Sequence, residues 1–328
     1  MHPGAASVVE FLRNLKPGQV VLVSGHVRPD GDAVGSTLAL VHSLLLAGVE
    51  ATPLLVDNKP APEFYQWLEG FERYVTPAEV ERWPHIDAYI VLDTPLDKRL
   101  SAAAAILDRA ETTVLIDHHP ALDEFTDLRY IDTGAAAAAH IVWDLISTAA
   151  LPVDRTVATA CFTGLASDTG RFMFSNTTAA AFQAAAEMVE AGVSVNEVNV
   201  RLFSSKTAEV LELEGLVLER MMILNDGKVT ASWLTQADFD SIGVRRDEAE
   251  SIIDVIRTLE GSEISLLVIF GDTSTRVSLR SKSAFNVGAI AEAFGGGGHQ
   301  AAAGVNWPDM AADLSTILDA ILPLLPHA

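Results

Sequence analysis

The sequence predicts a two-domain α/β protein, with a larger N-terminal domain on a parallel sheet joined by a helical linker to a smaller C-terminal α/β domain. Three observations carry this reading. Between residues 20 and 119 four short apolar runs alternate with helix-like stretches, and an acidic or imidazole side chain closes each run. Residues 135–192 turn helical and Ala-rich, and a second, shorter set of strand-like runs follows residue 226. A chain of 328 residues exceeds the usual span of one core, and its 49% apolar content suffices for two. The expected boundaries are 1–192 for the first domain, 193–225 for the linker and 226–328 for the second domain.

Residues 20–26 (VVLVSGH) read as a strand, followed by the loop Arg28-Pro29-Asp30-Gly31-Asp32 and a helical pattern over 33–47. The same rhythm recurs at 51–56 before Asp57, at 88–92 before Asp93, and at 113–116 before Asp117-His118-His119. Asp168 falls in Ser167-Asp168-Thr169-Gly170, expected as a loop between two helices. Over 193–225, Glu209, Glu212, Glu214 and Glu219 interleave with Leu and Val, which suggests one connecting helix. Beyond it the pattern gives a strand at 228–234, a helix near 247–260, strands at 264–270 and 275–280, and a helix at 286–294. The run Gly295–Gly298 lies inside this second unit, where its bland interpretation is a flexible turn.

Composition narrows the function. The longest apolar stretches are broken by charge, Gly or Ser, so no membrane span is expected, and the N-terminal residues lack the pattern of a secretory leader. The cytoplasm is the simplest compartment. A single cysteine, Cys161, excludes a thiolate zinc cluster, so any metal must be held by oxygen and imidazole. A net charge of −22 repels long polyanions and argues against a protein that grips extended DNA or RNA, while leaving short anionic ligands admissible.

In a parallel sheet, ligands bind in the crevice outside the carboxyl ends of the strands. His26, Asp30, Asp32, Asp93 and His118 are all expected there, and Asp168 joins them. Taken singly each has a structural interpretation: turn former, helix N-cap or polar loop residue. Taken together they bring four carboxylates and two imidazoles to one sheet edge. The four carboxylate charges offset those of two divalent cations, so the site can accept a phosphate. Oxygen ligands with some imidazole suit Mn²⁺ first and Mg²⁺ second. Two such ions can activate a water and clamp the attacking and leaving oxygens of an in-line displacement. In the second domain, consecutive glycines let backbone N–H groups approach an anion, with His299, Arg280 and Lys282 adding donors. Alternation places Arg276, Arg280 and Lys282 on one face of a strand.

The order His-x-x-x-Asp-x-Asp, a lone Asp, Asp-His-His, then Ser-Asp-Thr-Gly resembles the DHH phosphoesterases. Residues 276–282 (RVSLRSK) and 295–304 (GGGGHQAAAG) resemble the DHH-associated substrate domain. The resemblance covers nearly the whole chain, and the length is similar to the nanoRNase branch of NrnA-type oligoribonucleases and pAp phosphatases. It implies one cation on His26, Asp30 and Asp93, and another on Asp32, Asp93, His118 and Asp168. His119 would contact the scissile phosphate and protonate the leaving oxygen, and Asp117 would orient the histidines. Arg276, Ser278, Arg280, Lys282, Gly296, Gly297, Gly298 and His299 would bind substrate.

The expected partners are short RNA or DNA oligonucleotides and small nucleotides such as pAp and pApA, with no membrane. Oligomeric state stays open, a homodimer included. The alternatives are a RecJ-like single-strand DNA exonuclease, a cyclic di-AMP phosphodiesterase and a nucleotide sensor without turnover.

Overall fold

A computed structural model describes residues 3–120, 124–249, 251–282, 285–298, 300–309 and 311–325. The chain divides into two compact units, Met1–Ser205 and Lys206–Ala328.

The first unit is built on β1 (Val20–Ser24), β2 (Glu50–Leu54), β3 (Ala88–Leu92), β4 (Thr112–Asp117) and β5 (Leu128–Ile131), in the order β2-β1-β3-β4-β5. Every pairing is parallel, as the alternating pattern predicts. Its helices are α1 (Pro3–Asn14), α2 (Gly31–Leu46), α3 (Pro77–Val80), α4 (Ala138–Ala149), α5 (Arg155–Asp168), α6 (Ala179–Glu190) and α7 (Val195–Phe203). A parallel sheet must bury both faces, and β3 shows how its unbroken apolar run does so. Ala88, Ile90 and Leu92 pack with α1, α2, α4, α5 and α6, whereas Tyr89 and Val91 join Leu22, Leu54, Leu100 and Leu115 on the opposite face. Local signals start the helices: Asp30 caps α2 through Asp32 N and Ala33 N, and Asp154 caps α5 through Val157 N.

The second unit contains α8 (Ala208–Glu219), β6 (Met222–Leu224), β7 (Val229–Thr235), α9 (Gln236–Ile242), α10 (Asp254–Arg257), β8 (Ile264–Phe270), β9 (Thr275–Ser281), α11 (Val287–Ala293), β10 (Gly297–Gly298), β11 (Ala302–Trp307) and α12 (Leu314–Ile321). Its sheet runs β10-β11-β9-β8-β7-β6, with only β7 and β8 parallel. Strand alternation splits the core between two faces. Leu266, Val268, Val277 and Leu279 pack with α11 and α12, while Leu267 and Ile269 pack with α8, α9 and α10.

Three segments depart from the expected pattern. Residues 193–225 form α7, α8 and β6 rather than one helix, because Ser194 and Thr207 each cap a new helix. The helix expected over 247–260 is a 3₁₀ turn at Arg246–Ala249 followed by the single turn α10. Burial of Ile252, Ile253 and Ile256 against β7 and β8 sets its path, overriding local periodicity. Gly297–Gly298 forms an edge strand on β11 instead of a flexible turn. Among the described residues, no helix is long and apolar enough to cross a membrane.

Candidate metal centre

Strand order β2-β1-β3 reverses direction between β1 and β3, so a crevice opens beyond their carboxyl ends. His26 follows β1 and Asp93 follows β3. Both are buried, and His26 Nε2 lies 3.4 Å from Asp93 Oδ2 and 3.8 Å from Asp30 Oδ2. The other ring nitrogen of His26, Nδ1, donates to Val27 O at 2.8 Å, which fixes the ring with Nε2 toward the acids. Asp30 divides its carboxylate: Oδ1 caps α2 while Oδ2 faces His26. Asp30 rather than Asp32 is the N-cap residue of α2, and Asp32 is the second residue of the helix.

Asp32 is held from a distant part of the chain. Its Oδ2 accepts from Ala138 N at 2.6 Å and its Oδ1 from Ala139 N at 2.8 Å, so it caps α4, whose own N-cap residue, Ala137, has no side chain to do so. His118 Nε2 then lies 3.8 Å from Asp32, 3.4 Å from Asp93 and 3.6 Å from Asp168. Asp168 is the last residue of α5 and not a loop residue. Gly170, Arg171 and Phe172 all have positive φ, turning the chain away immediately after it. Asn176 Nδ2 bonds Asp168 O and Ala136 O, tying the end of α5 to the start of α4.

Asp117, fully buried at the end of β4, uses Oδ1 to accept from His118 N, His119 N and His119 Nδ1 at 2.7, 3.0 and 2.7 Å. That bond makes Nδ1 the proton-bearing nitrogen of His119, so Nε2 is the one that can exchange a proton with a ligand. His119 Nδ1 also lies 3.3 Å from Asp93 Oδ1.

Asp93 is therefore where the site converges. Its φ of 55° is rare outside glycine, and a carboxylate held in that conformation at a crevice marks stored strain. Burial alone would raise its carboxyl, but the nearby His118 and His26 rings hold it well below the usual carboxylate range. Burial opposes protonation of His118, yet Asp93, Asp168 and Asp32 push it up to about 11. Burial, with the charges of Asp93 and Asp168, pushes Asp32 well above the usual range. Burial, with Asp30 and Asp93, takes Asp168 up to about 7. The acids crowd one another for want of positive charge. Among the described residues Asp93 Oδ1 is buried without a hydrogen-bond partner, although the His118 and His119 rings stand 3.4 and 3.3 Å away. Ligand atoms of His26, Asp30 and Asp93 lie within 4.8 Å of one another, as do those of Asp32, His118 and Asp168 and those of Asp93, Asp117, His118 and His119. This donor set could hold divalent cations, and the crowding is what such ions relieve.

Two glycines let the helices bring these acids together. A Cβ on Gly35 would meet Ala160 O at 2.5 Å, and one on Gly164 would meet Ala139 Cβ at 2.5 Å and Asp32 Oδ1 at 2.8 Å. Gly164→Ala is expected to cost about 1–3 kcal/mol through overpacking and to reduce metal occupancy by displacing Asp32. Thermal unfolding and elemental analysis check this; an unchanged midpoint with full metal content would show that α2 and α5 can part freely.

The chain matches the DHH family, N-terminal domain, over residues 20–165 and the DHHA1 domain over residues 226–325. It is 31% identical to the bifunctional oligoribonuclease and PAP phosphatase NrnA of Thermus thermophilus, over 94% of this chain and 91% of that protein. The chain belongs to the DHH family. The Bacillus subtilis protein of the same name is 25% identical over 94% of this chain and 97% of its own length. Among solved structures, an exopolyphosphatase-related protein from Bacteroides fragilis shares the fold, with a TM-score of 0.87, 20% identity, and coverage of 98% and 96% of the two chains.

In the DHHA1 unit, β9 points Arg276, Ser278 and Arg280 to the same, partly exposed face, with Leu279 and Val277 buried behind. Lys282 lies just past the strand, and its Nζ donates to Leu259 O at 2.6 Å, which ties down a neighbouring turn. Across β11, Gly304 pairs with Ser278 and Gly297 with Gly304, so side-chain-free backbone lies beside the arginines. The glycines are needed for this close approach: a Cβ on Gly296 would meet Gly304 O at 2.3 Å, and one on Gly298, whose φ is 146°, Ala302 O at 2.5 Å. His299 lies outside the described residues.

Proposed function

We propose that this DHH-family chain is a metal-dependent phosphoesterase that cuts short oligonucleotides to mononucleotides and removes phosphate from pAp. The observation that carries this reading is the meeting at Asp93 of three imidazoles and a surrounding set of acids, with His119 locked against Asp117 beside them. The activities named for the Thermus and Bacillus relatives support the choice of substrate.

One cation would sit on His26, Asp30 and Asp93 and a second on Asp32, Asp93, His118 and Asp168, with manganese favoured by the donor set. Cations there would supply Lewis-acid activation of water and neutralise phosphate charge. The chain's own contribution is positioning and proton transfer. Asp117 holds His119 so that Nε2 can pass a proton to the leaving oxygen as the P–O bond breaks, and the ring then regains a proton from water. Arg276, Ser278, Arg280, Lys282 and the backbone of Gly296–Gly298 would take a terminal phosphate or nucleotide on the DHHA1 unit, with His299 joining them. The net charge of −22 favours short ligands over long ones.

The test is release of mononucleotide from a labelled dinucleotide, and of phosphate from pAp, by manganese-soaked protein, repeated on oligonucleotides of increasing length. Turnover should be highest on the shortest substrates and fall beyond a few residues. Equal activity on long single-stranded DNA would favour the RecJ-like alternative, and no turnover across a metal titration would favour a sensor.

A further inference from the structure

We infer that Asn176 is a positioning residue for one of the two cations: its side-chain amide sets Asp32 and Asp168 relative to each other and leaves His26 and Asp30 to other supports. The inference rests on the two-cation reading above and adds to it a residue proposed as a ligand of neither ion.

The carboxylates proposed for the second cation come from separate helices. Asp168 ends α5, and Asp32, near the start of α2, is held by the first amides of α4. Asn176 Nδ2 donates to Asp168 O at 3.1 Å and to Ala136 O at 3.0 Å. The first of these carbonyls is among the last four of α5, which find no partner inside the helix. The second lies two residues before Ala138, so that bond fixes the turn from which Ala138 N and Ala139 N reach Asp32. One amide thus ties together the supports of two acids that approach the same ring nitrogen: His118 Nε2 lies 3.8 Å from Asp32 and 3.6 Å from Asp168.

Asn176 is itself held in place. Thr177 N donates to Phe174 O at 3.1 Å, and Thr178 caps α6 through Ala181 N. With two carbonyls as partners, the amide nitrogen must face them and the amide oxygen must point elsewhere. That oxygen is buried with no hydrogen-bond partner among the described residues. Burying it is a cost that an apolar side chain of the same size would avoid, so the two donated bonds account for an amide at this position. The residues proposed for the first cation are placed by other means: His26 through Nδ1 on Val27 O, and Asp30 through its cap on α2. Outer hydrogen bonds that hold a ligand in place typically govern metal affinity by about ten- to hundredfold.

The test compares parent protein with Asn176→Ala and with Asn176→Leu, which matches asparagine in size and donates nothing. Manganese binding is followed by calorimetric titration and by the spin coupling expected of ions that share Asp93, and the metal-free thermal midpoint is measured on each. The parent should bind two ions. Both variants should bind one ion as tightly as the parent and the other about ten- to hundredfold more weakly, with spin coupling appearing only at the higher manganese concentration. Adding Asn176→Leu to Asp168→Ala should weaken binding little further, whereas adding it to Asp30→Ala should weaken the remaining ion as it does in the parent. The metal-free midpoint should fall by a few degrees, since two carbonyls lose their donor, but a merely structural role would not separate the two ions. Equal weakening of both ions overturns the inference, and so does unchanged affinity for both. A parent that binds no manganese overturns it together with the two-cation reading, whereas a parent that binds two ions and cleaves no dinucleotide defeats the phosphoesterase reading alone.

Discussion

Asp93→Ala is expected to strip bound divalent cation from the protein and to lower turnover by at least about a thousandfold. His26, His118 and His119 all lie within 3.4 Å of its carboxylate, and one oxygen is buried without a hydrogen bond. Removing it takes away the group common to both proposed cation sites. It also leaves Asp32 and Asp168 facing rings whose charge Asp93 had sustained. Loss of several kcal/mol of transition-state stabilisation corresponds to three or more powers of ten in rate. Elemental analysis after manganese soaking, beside steady-state cleavage of a dinucleotide, reads both effects. Full metal content in the variant would show that Asp93 bridges nothing.

His119→Ala is expected to lower turnover by about 10²–10⁴-fold, the usual contribution of a positioned acid–base group, while leaving metal content largely intact. The reason is geometric. Asp117 engages His119 through Nδ1, and His118 rather than His119 reaches Asp32 and Asp168. The contrast between the two variants is the sharper test. If His119→Ala lost metal as completely as Asp93→Ala, His119 would be a ligand and its role as proton donor would have to be abandoned.

Much of the centre is legible in the sequence because it is local. A Val-rich run followed by His-x-x-x-Asp-x-Asp, or by Asp-His-His, places side chains at a strand end by chain connectivity alone. What the sequence conceals is non-local. Nothing near Asp32 announces that its carboxylate caps a helix 106 residues away, and nothing near Gly164 announces that it must make room for Asp32. Asn176, which clamps Asp168 O to Ala136 O, carries no motif and reads as an ordinary loop residue. β5 escapes notice for a different reason. At the sheet edge its residues are only partly buried, so Leu128–Ile131 lacks the continuous apolar run that reveals β3. Helix α1 goes unread in the sequence analysis although Val8, Val9 and Leu12, all buried, recur at helical spacing.

The double duty of Asp32 has one more consequence. A carboxylate that stitches the opening amides of α4 to α2 belongs to the scaffold before it belongs to any ligand. The receptacle is therefore cast with the fold, and an incoming ion meets a finished mould. Chelation is expected to lower the thermal midpoint of such a protein while leaving its fold in place, and returning the ion to restore the midpoint.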